Sequence, residues 1–227
     1  MNIKFLLLIG IILEGMTGCQ TEKINVQKEW QDDNTEMWEI RISKPFFSSS
    51  ASLECKAINH RVTALIDSLK NDFKMQVKDY NQAFDTIPNE EPMRPLEMFV
   101  KDSVFVADGN YISLRFEIYV ILGGANGETK YYTLNYDLRN KCFLSNGEIL
   151  NLKQEDEIDR LLKQVFKNPD NCFTEVPTVA ACSALNFTGE NLCFTYGKYV
   201  LGAGACGDVE VNIPFDMLDN LLLINNM

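Results

Sequence analysis

Histidine is nearly missing from this 227-residue sequence, which holds only His60. A His–His–carboxylate zinc site needs two, so that count excludes such sites and most metal hydrolases. It also leaves a serine nucleophile without a base, and no G-x-S-x-G elbow occurs. Basic charge is scarce as well. Lys and Arg total 21 against 32 Asp and Glu, a formal net charge of −11. A chain of that sign is repelled by phosphates, so no nucleic acid is expected as a partner. The absence of any C-x-x-C pair argues against a thioredoxin-like motif and a clustered zinc site. Neither metal nor cofactor is expected. Core material, by contrast, is ample: 46% of residues are hydrophobic and 11% aromatic, too many for a disordered tail.

After the run Phe5–Leu13 no long apolar stretch appears. Lys4 followed by that run is a secretory-signal pattern, too short for a span of about 20 apolar residues. Glu14 interrupts it, and Met16-Thr17-Gly18-Cys19 follows. This resembles the bacterial lipobox, in which small residues precede a cysteine that becomes acylated, with Met16 where the consensus prefers Leu. The expectation is a signal peptide over 1–18 and a fatty-acyl (palmitate-type) anchor on Cys19, with an uncleaved membrane helix as the alternative. The membrane is then a partner through the lipid, and the chain sits at the cell envelope, on the periplasmic side or the cell surface. Residues 19–36 are polar and unpatterned, and read as a tether.

Beyond the tether, 37–95 predicts one strand and one long helix, and 96–227 an α+β portion. Met37–Ser43 alternates as a strand before Pro45. Ile58, Val62, Leu65, Leu69, Phe73, Val77 and Tyr80 step by three and four along a helix from 53 to 84; His60 lies off that stripe. Strands are predicted over 96–107, 111–122 and 129–138, with Asp108-Gly109 as a hairpin signal. A helix over 154–167 follows, then strands near 184–188, 192–196 and 208–213. Pro214 opens a last amphipathic helix bearing Met217, Leu218, Leu221 and Leu222. The fold class is α+β, an antiparallel sheet with helices packed on one face in a two-layer sandwich. Of the cysteines after Cys19, Cys172, Cys182, Cys193 and Cys206 are the expected staples of an exported chain, with buried free thiols as the alternative.

Gly202-Ala-Gly-Ala-Cys-Gly207 matches G-x-G-x-x-G, but the alternating segment behind it predicts a strand where a dinucleotide site needs a helix N-terminus. Asp137, Asp208 and Glu210 are the best-placed carboxylates for a glycosidase-like pair, which needs them about 5–10 Å apart.

Four segments form an ordered series: Tyr119–Asn126, Asn135–Leu138, Phe194–Tyr199 and Gly207–Phe215. The series resembles the DUF3298-like exported domain, preceded from Trp38 to Phe84 by a DUF4163-like half. Relatives include the extracytoplasmic domain of a lysozyme-sensing anti-sigma factor and the N-terminal domain of a peptidoglycan deacetylase. Where the family pattern reads Gly-Gly-Ala-His, Asn126 replaces the histidine. The resemblance implies a ligand- or protein-binding envelope module, non-enzymatic, with an envelope or host protein as partner and a basic one such as lysozyme as the specific version. The candidate ligand-binding residues lie in those segments: Gly123, Gly124, Asn126, Asp137, Tyr196, Tyr199 and Asp208. The alternatives are a carboxylate enzyme or binder acting on envelope glycans, and a structural accessory lipoprotein.

Overall fold

Segments that alternate apolar and polar residues become strands, and the long three-and-four spacing becomes one helix. The computed structural model describes residues 24–49, 52–84, 95–123, 126–168 and 170–224. One sheet holds β1 (Asn25–Asn34), β2 (Trp38–Ser48), β3 (Leu96–Ala107), β4 (Tyr111–Ile121), β5 (Glu128–Asp137) and β6 (Cys142–Leu144) in chain order. Its neighbours are antiparallel except β2 and β3, which run parallel over Trp38–Ile42 and Leu96–Val100. A parallel pair needs a long crossover, and helix α1 (Ser52–Phe84) supplies it. Two shorter helices follow, α2 (Asn146–Ile149) and α3 (Glu155–Val165). The chain then forms a three-stranded antiparallel sheet of β7 (Ala184–Phe187), β8 (Asn191–Tyr196) and β9 (Val209–Pro214). The architecture is α+β, as expected, with its strands shared between two sheets.

Along α1, Cys55, Ile58, Val62, Ile66, Phe73 and Val77 are buried, while Leu65, Leu69 and Tyr80 are partly buried beside them. They meet Ile40 and Ile42 of β2, Met98 and Val100 of β3, and Ile112, Leu114, Phe116 and Ile118 of β4. Each such side chain contributes ~1.5–3 kcal/mol when fully buried. Tertiary packing, more than intrinsic propensity, therefore holds the helix.

A second core gathers Leu161 and Leu162 of α3, Leu185 and Phe187 of β7, Phe194 and Tyr196 of β8, and Val211 and Ile213 of β9. Helix α3 opens with Glu155, Asp156 and Glu157, whose charge suits the positive end of its dipole. Strand β4 belongs to both cores. Its even-numbered residues face α1, whereas Tyr111 meets Phe187 edge-on at 5.5 Å. Ser113 turns toward β7. Its Oγ donates to Asn135 Oδ1 at 2.6 Å and accepts from Asn186 Nδ2 at 2.9 Å and Phe187 N at 3.2 Å. Asn135 Nδ2 in turn donates to Leu185 O at 2.9 Å. These bonds satisfy polar groups that would otherwise be buried at a cost between the sheets. Among the described residues, Asn186 Oδ1 is the buried side-chain atom left without a partner.

Three expectations need correcting. The 19–36 tether contains β1 instead; an edge strand exposed along most of its length has no apolar alternation to betray it. Cys19, the signal peptide over 1–18 and Gly124 lie outside the described residues. Pro45 does not end its strand, because β2 runs on to Ser48. Thr35 N–H donates to Trp38 O, so the odd residues of β1 bond β2, and Lys28 opposite Pro45 is a non-hydrogen-bonded pair. Pro45 therefore needs no N–H toward β1, and pairing with β3 has already ended at Ile42. The last helix is two 3-10 turns, Phe215–Met217 and Asp219–Leu221. Leu218 and Leu221 are buried as the pattern requires. A longer helix is prevented because Leu221 O accepts from Asn151 N, and Leu223 N donates to Ile149 O, each at 2.8 Å.

Candidate functional site

Strand β5 changes character along one face. Opposite the apolar residues of β4 it presents Glu128, Lys130 and Tyr132, then Leu134 and Tyr136. Leu134 and Tyr136 join the first core under α1, while the polar half is left open. The result is a groove of about 340 Å³ between α1 and strands β3–β5. Its apolar floor is formed by Leu69, Phe73, Met98, Ile118, Val120 and Leu122, and its rim by Asp72, Gln76, Asn126, Glu128, Lys130 and Tyr132. Lys130 Nζ lies 3.2 Å from Glu128, with both side chains largely exposed, a pair of little energetic weight that a ligand can open. Gly123 closes one end of the groove at φ +86°. A Cβ there would run into the Tyr80 ring of α1, so glycine permits both the turn and the close approach.

Of the residues expected to bind a ligand, Gly123 and Asn126 therefore share this groove. Among the described residues, Asp137, Tyr196, Tyr199 and Asp208 do not join them. Asp137 is buried at the end of β5, where its carboxylate accepts from Arg139 N at 2.8 Å and from Asn140 N and Nδ2 at 2.9 Å. It holds the turn into β6 and lines a separate hollow with Tyr111, Arg139 and Glu148. Tyr196 is buried in the second core and donates to Thr178 O at 3.0 Å; burial pushes its phenol far above the ordinary value. Tyr199 is 63% exposed and covers Gly204, where a Cβ would strike its ring.

Asp208 and Glu210 serve the junction of the sheets. Arg115 Nη1 donates to Thr195 Oγ1 and to Glu210 at 3.0 Å, and its guanidinium lies over Phe105 and Tyr131 at 5.0 and 5.5 Å. Burial, reinforced by Asp208 and Glu117, pushes Tyr131 up to about 12. Asp137 pairs with Tyr111, four residues along β4 from Arg115, or roughly 13 Å of strand. The three acids considered for a glycosidase-like site thus do not converge on one cleft. Gly202–Gly207 does not border the groove either. Gly202 packs on the Cys172 and Phe173 backbone, and the loop runs into β9, with no helix N-terminus behind it. His60 is exposed beside Lys44 and Phe46 in another hollow.

The cysteines divide differently from expectation. Cys172 and Cys206 form a disulfide across 34 residues, whereas Cys182 and Cys193 are free. Both sit inside the second sheet region, where burial pushes their thiols up to about 11 and about 12. Cys182 lies in the segment before β7, where its Sγ donates to Ala184 O at 3.1 Å, and Cys193 lies in β8; thiols accommodated in this way need no bridge.

The groove residues missed by sequence reasoning are Asp72 and Gln76 of α1 and Glu128, Lys130 and Tyr132 of β5. A signal existed: charged Glu128 and Lys130 stand on the inner face of a strand whose next inner residues are Tyr132, Leu134 and Tyr136. Among the described residues, no group of three His, Cys, Asp or Glu is placed to hold a metal.

Residues 31–129 match the family model described as Deacetylase PdaC. Over nearly its whole length the chain is similar to solved structures of the DUF3298 family. A member from Bacteroides fragilis is 16% identical with a TM-score of 0.65, covering 90% of this chain and 94% of that one. A DUF3298 family protein from Pseudomonas aeruginosa is 14% identical with a TM-score of 0.52, covering 88% and 93%. No curated protein matches. The chain therefore has a DUF3298-like fold, with a Deacetylase PdaC-like segment running from β1 into the start of β5.

Proposed function

We propose that this chain is a lipid-anchored envelope protein that binds, without chemical conversion, an acetylated glycan segment in the groove between α1 and β5. The observation that carries this reading is the groove itself, which lies almost wholly inside the segment resembling Deacetylase PdaC. An apolar floor bordered by carboxylate, amide, ammonium and phenol groups suits a sugar ring, which offers one apolar face and a perimeter of hydroxyls and amides. Its volume falls within the range of small-ligand sites. The anchor rests on Cys19 and the leader before it; an acyl mass increment on the N-terminal peptide tests that part separately. The DUF4163-like reading of Trp38–Phe84 and the relation to a lysozyme-sensing anti-sigma factor belong to the same proposal.

Titrating N-acetylglucosamine tetramer into isotope-labelled protein tests the groove. Shifts confined to Gln76, Asn126, Lys130 and Tyr132, and at least about tenfold weaker binding in Tyr132→Ala, are expected. An unchanged spectrum at millimolar tetramer removes the glycan reading. Release of acetate or a shortened oligomer would show an enzyme instead.

A second reading has one observation behind it, the net charge of −11. A basic protein such as lysozyme would meet an attractive field, with fast and salt-sensitive association. Titration with lysozyme at low and high salt tests it, and no binding at low salt ends it. Failure of both titrations leaves a structural accessory role.

A further inference from the structure

We propose that β1 is a homodimerisation edge, on which a second copy of this chain adds its own β1 antiparallel across a two-fold axis at Trp30. Among the described residues, no strand pairs with the outer edge of β1. The phase of the hairpin fixes which backbone groups are open. Thr35 N donates to Trp38 O and Pro45 stands opposite Lys28, so Val26, Lys28, Trp30, Asp32 and Asn34 direct their N–H and C=O groups outward. A strand of this length left open is a template for pairing. It also lacks the shortness or proline that usually blunts an edge.

The side chains choose the occupant. Val26, Lys28, Trp30, Asp32 and Asn34 share one face by strand alternation. Trp30 is 73% exposed, an unusual state for the largest apolar side chain. Lys28 and Asp32 stand two residues to either side of it, with opposite charges. A two-fold at Trp30 therefore sets Trp30 against itself and Lys28 against the partner's Asp32, twice. The residues paired in this register are those with outward-facing backbone, so each pair can exchange two hydrogen bonds. A two-fold at residue 28 or 32 would oppose like charges. Lys28 also reaches Asp102 at 3.2 Å, yet its side chain remains 48% exposed. The edge is thus self-complementary in backbone and in charge, which fits a second copy of this chain.

Sedimentation velocity on the purified full chain, in non-ionic detergent if it is acylated, tests this over about 1–200 µM. The wild type is expected to move from monomer to dimer. Asp32→Lys and Lys28→Glu are each expected to weaken the dimer at least about tenfold, and an equimolar mixture of the two to restore it as a heterodimer. Trp30→Cys is expected to crosslink under mild oxidation, since such pairs stand about 5.5 Å apart between Cα atoms, and Gln31→Cys is not. Circular dichroism identifies any variant that fails to fold, in which case the crosslinking pair decides. A wild type that stays monomeric throughout the range, or an Asp32→Lys variant that dimerises as well as the wild type, overturns the proposal.

Discussion

The two cores are built in opposite ways. The first rests on long elements: a 33-residue helix lies across strands of ten to twelve residues. The second is assembled from strands of four and six residues, a helix of 11, single 3-10 turns and one disulfide. Long elements bury enough apolar surface to stabilise themselves and leave a polar margin over, which is where the groove opens. Short elements bury less each and depend on cross-links, whether covalent, as at Cys172–Cys206, or polar, as at Ser113.

Truncating an aromatic in each core probes this contrast most strongly. Phe116→Ala in the first and Phe194→Ala in the second, both fully buried, are each expected to cost ~3–5 kcal/mol in urea unfolding. Both should lower the same single transition, because β4 contributes to both cores; two separate transitions would show that they fold independently. Removing the cross-link by Cys206→Ser is expected to cost about 3–4 kcal/mol for a loop of this length. A loss below ~1 kcal/mol in the same assay would show that the second core holds without it. Ser113→Ala strips a partner from Asn135, Asn186 and Phe187 at once, for an expected ~1–3 kcal/mol. Hydrogen exchange at Phe187 and Asn186 should rise first. Gly123→Ala meets both a left-handed backbone and the Tyr80 ring, and ~1–2 kcal/mol is expected, with the groove end reshaped in a heteronuclear spectrum.

The smallest effect depends on pH. Hydrogen bonds from Lys74 and Trp38, then the charges of Lys74 and Lys70, hold the Asp33 carboxyl below the usual range and tie β1 to α1. A depressed carboxylate stabilises fully above its unfolded pKa and loses that contribution as pH falls through the lowered value. Asp33→Asn should therefore cost a few tenths of a kcal/mol at neutral pH, a difference that fades as pH falls through the lowered value. A difference that persists in acid would assign the residue a packing role.

Much of the first core was legible. The Leu96–Ala107 strand and the helix ending at Phe84 lie where alternation and three-and-four spacing place them, because each has one dry face and one wet face. Strand β1 was not legible, since neither face has to be apolar at an exposed edge. Strand β6 is three residues long, too short for any period. The pairing of Cys172 with Cys206, and the release of Cys182 and Cys193, depend on which loops meet. Gly123 and Asn126 were marked by the Tyr119–Asn126 segment of the family resemblance, whereas Gln76 and Tyr132 enter the groove from elements far apart in sequence.

Sequence by itself determined the periods, the Asp108-Gly109 turn between β3 and β4 and the excess of acid, because each is set by local stereochemistry or by composition alone. Tertiary structure alone decided that β5 would leave its polar half uncovered, that one pair of sulfurs would meet, and that β1 would stand open with Trp30 outward. Each of these depends on distances between segments remote in the chain, which only packing brings into contact.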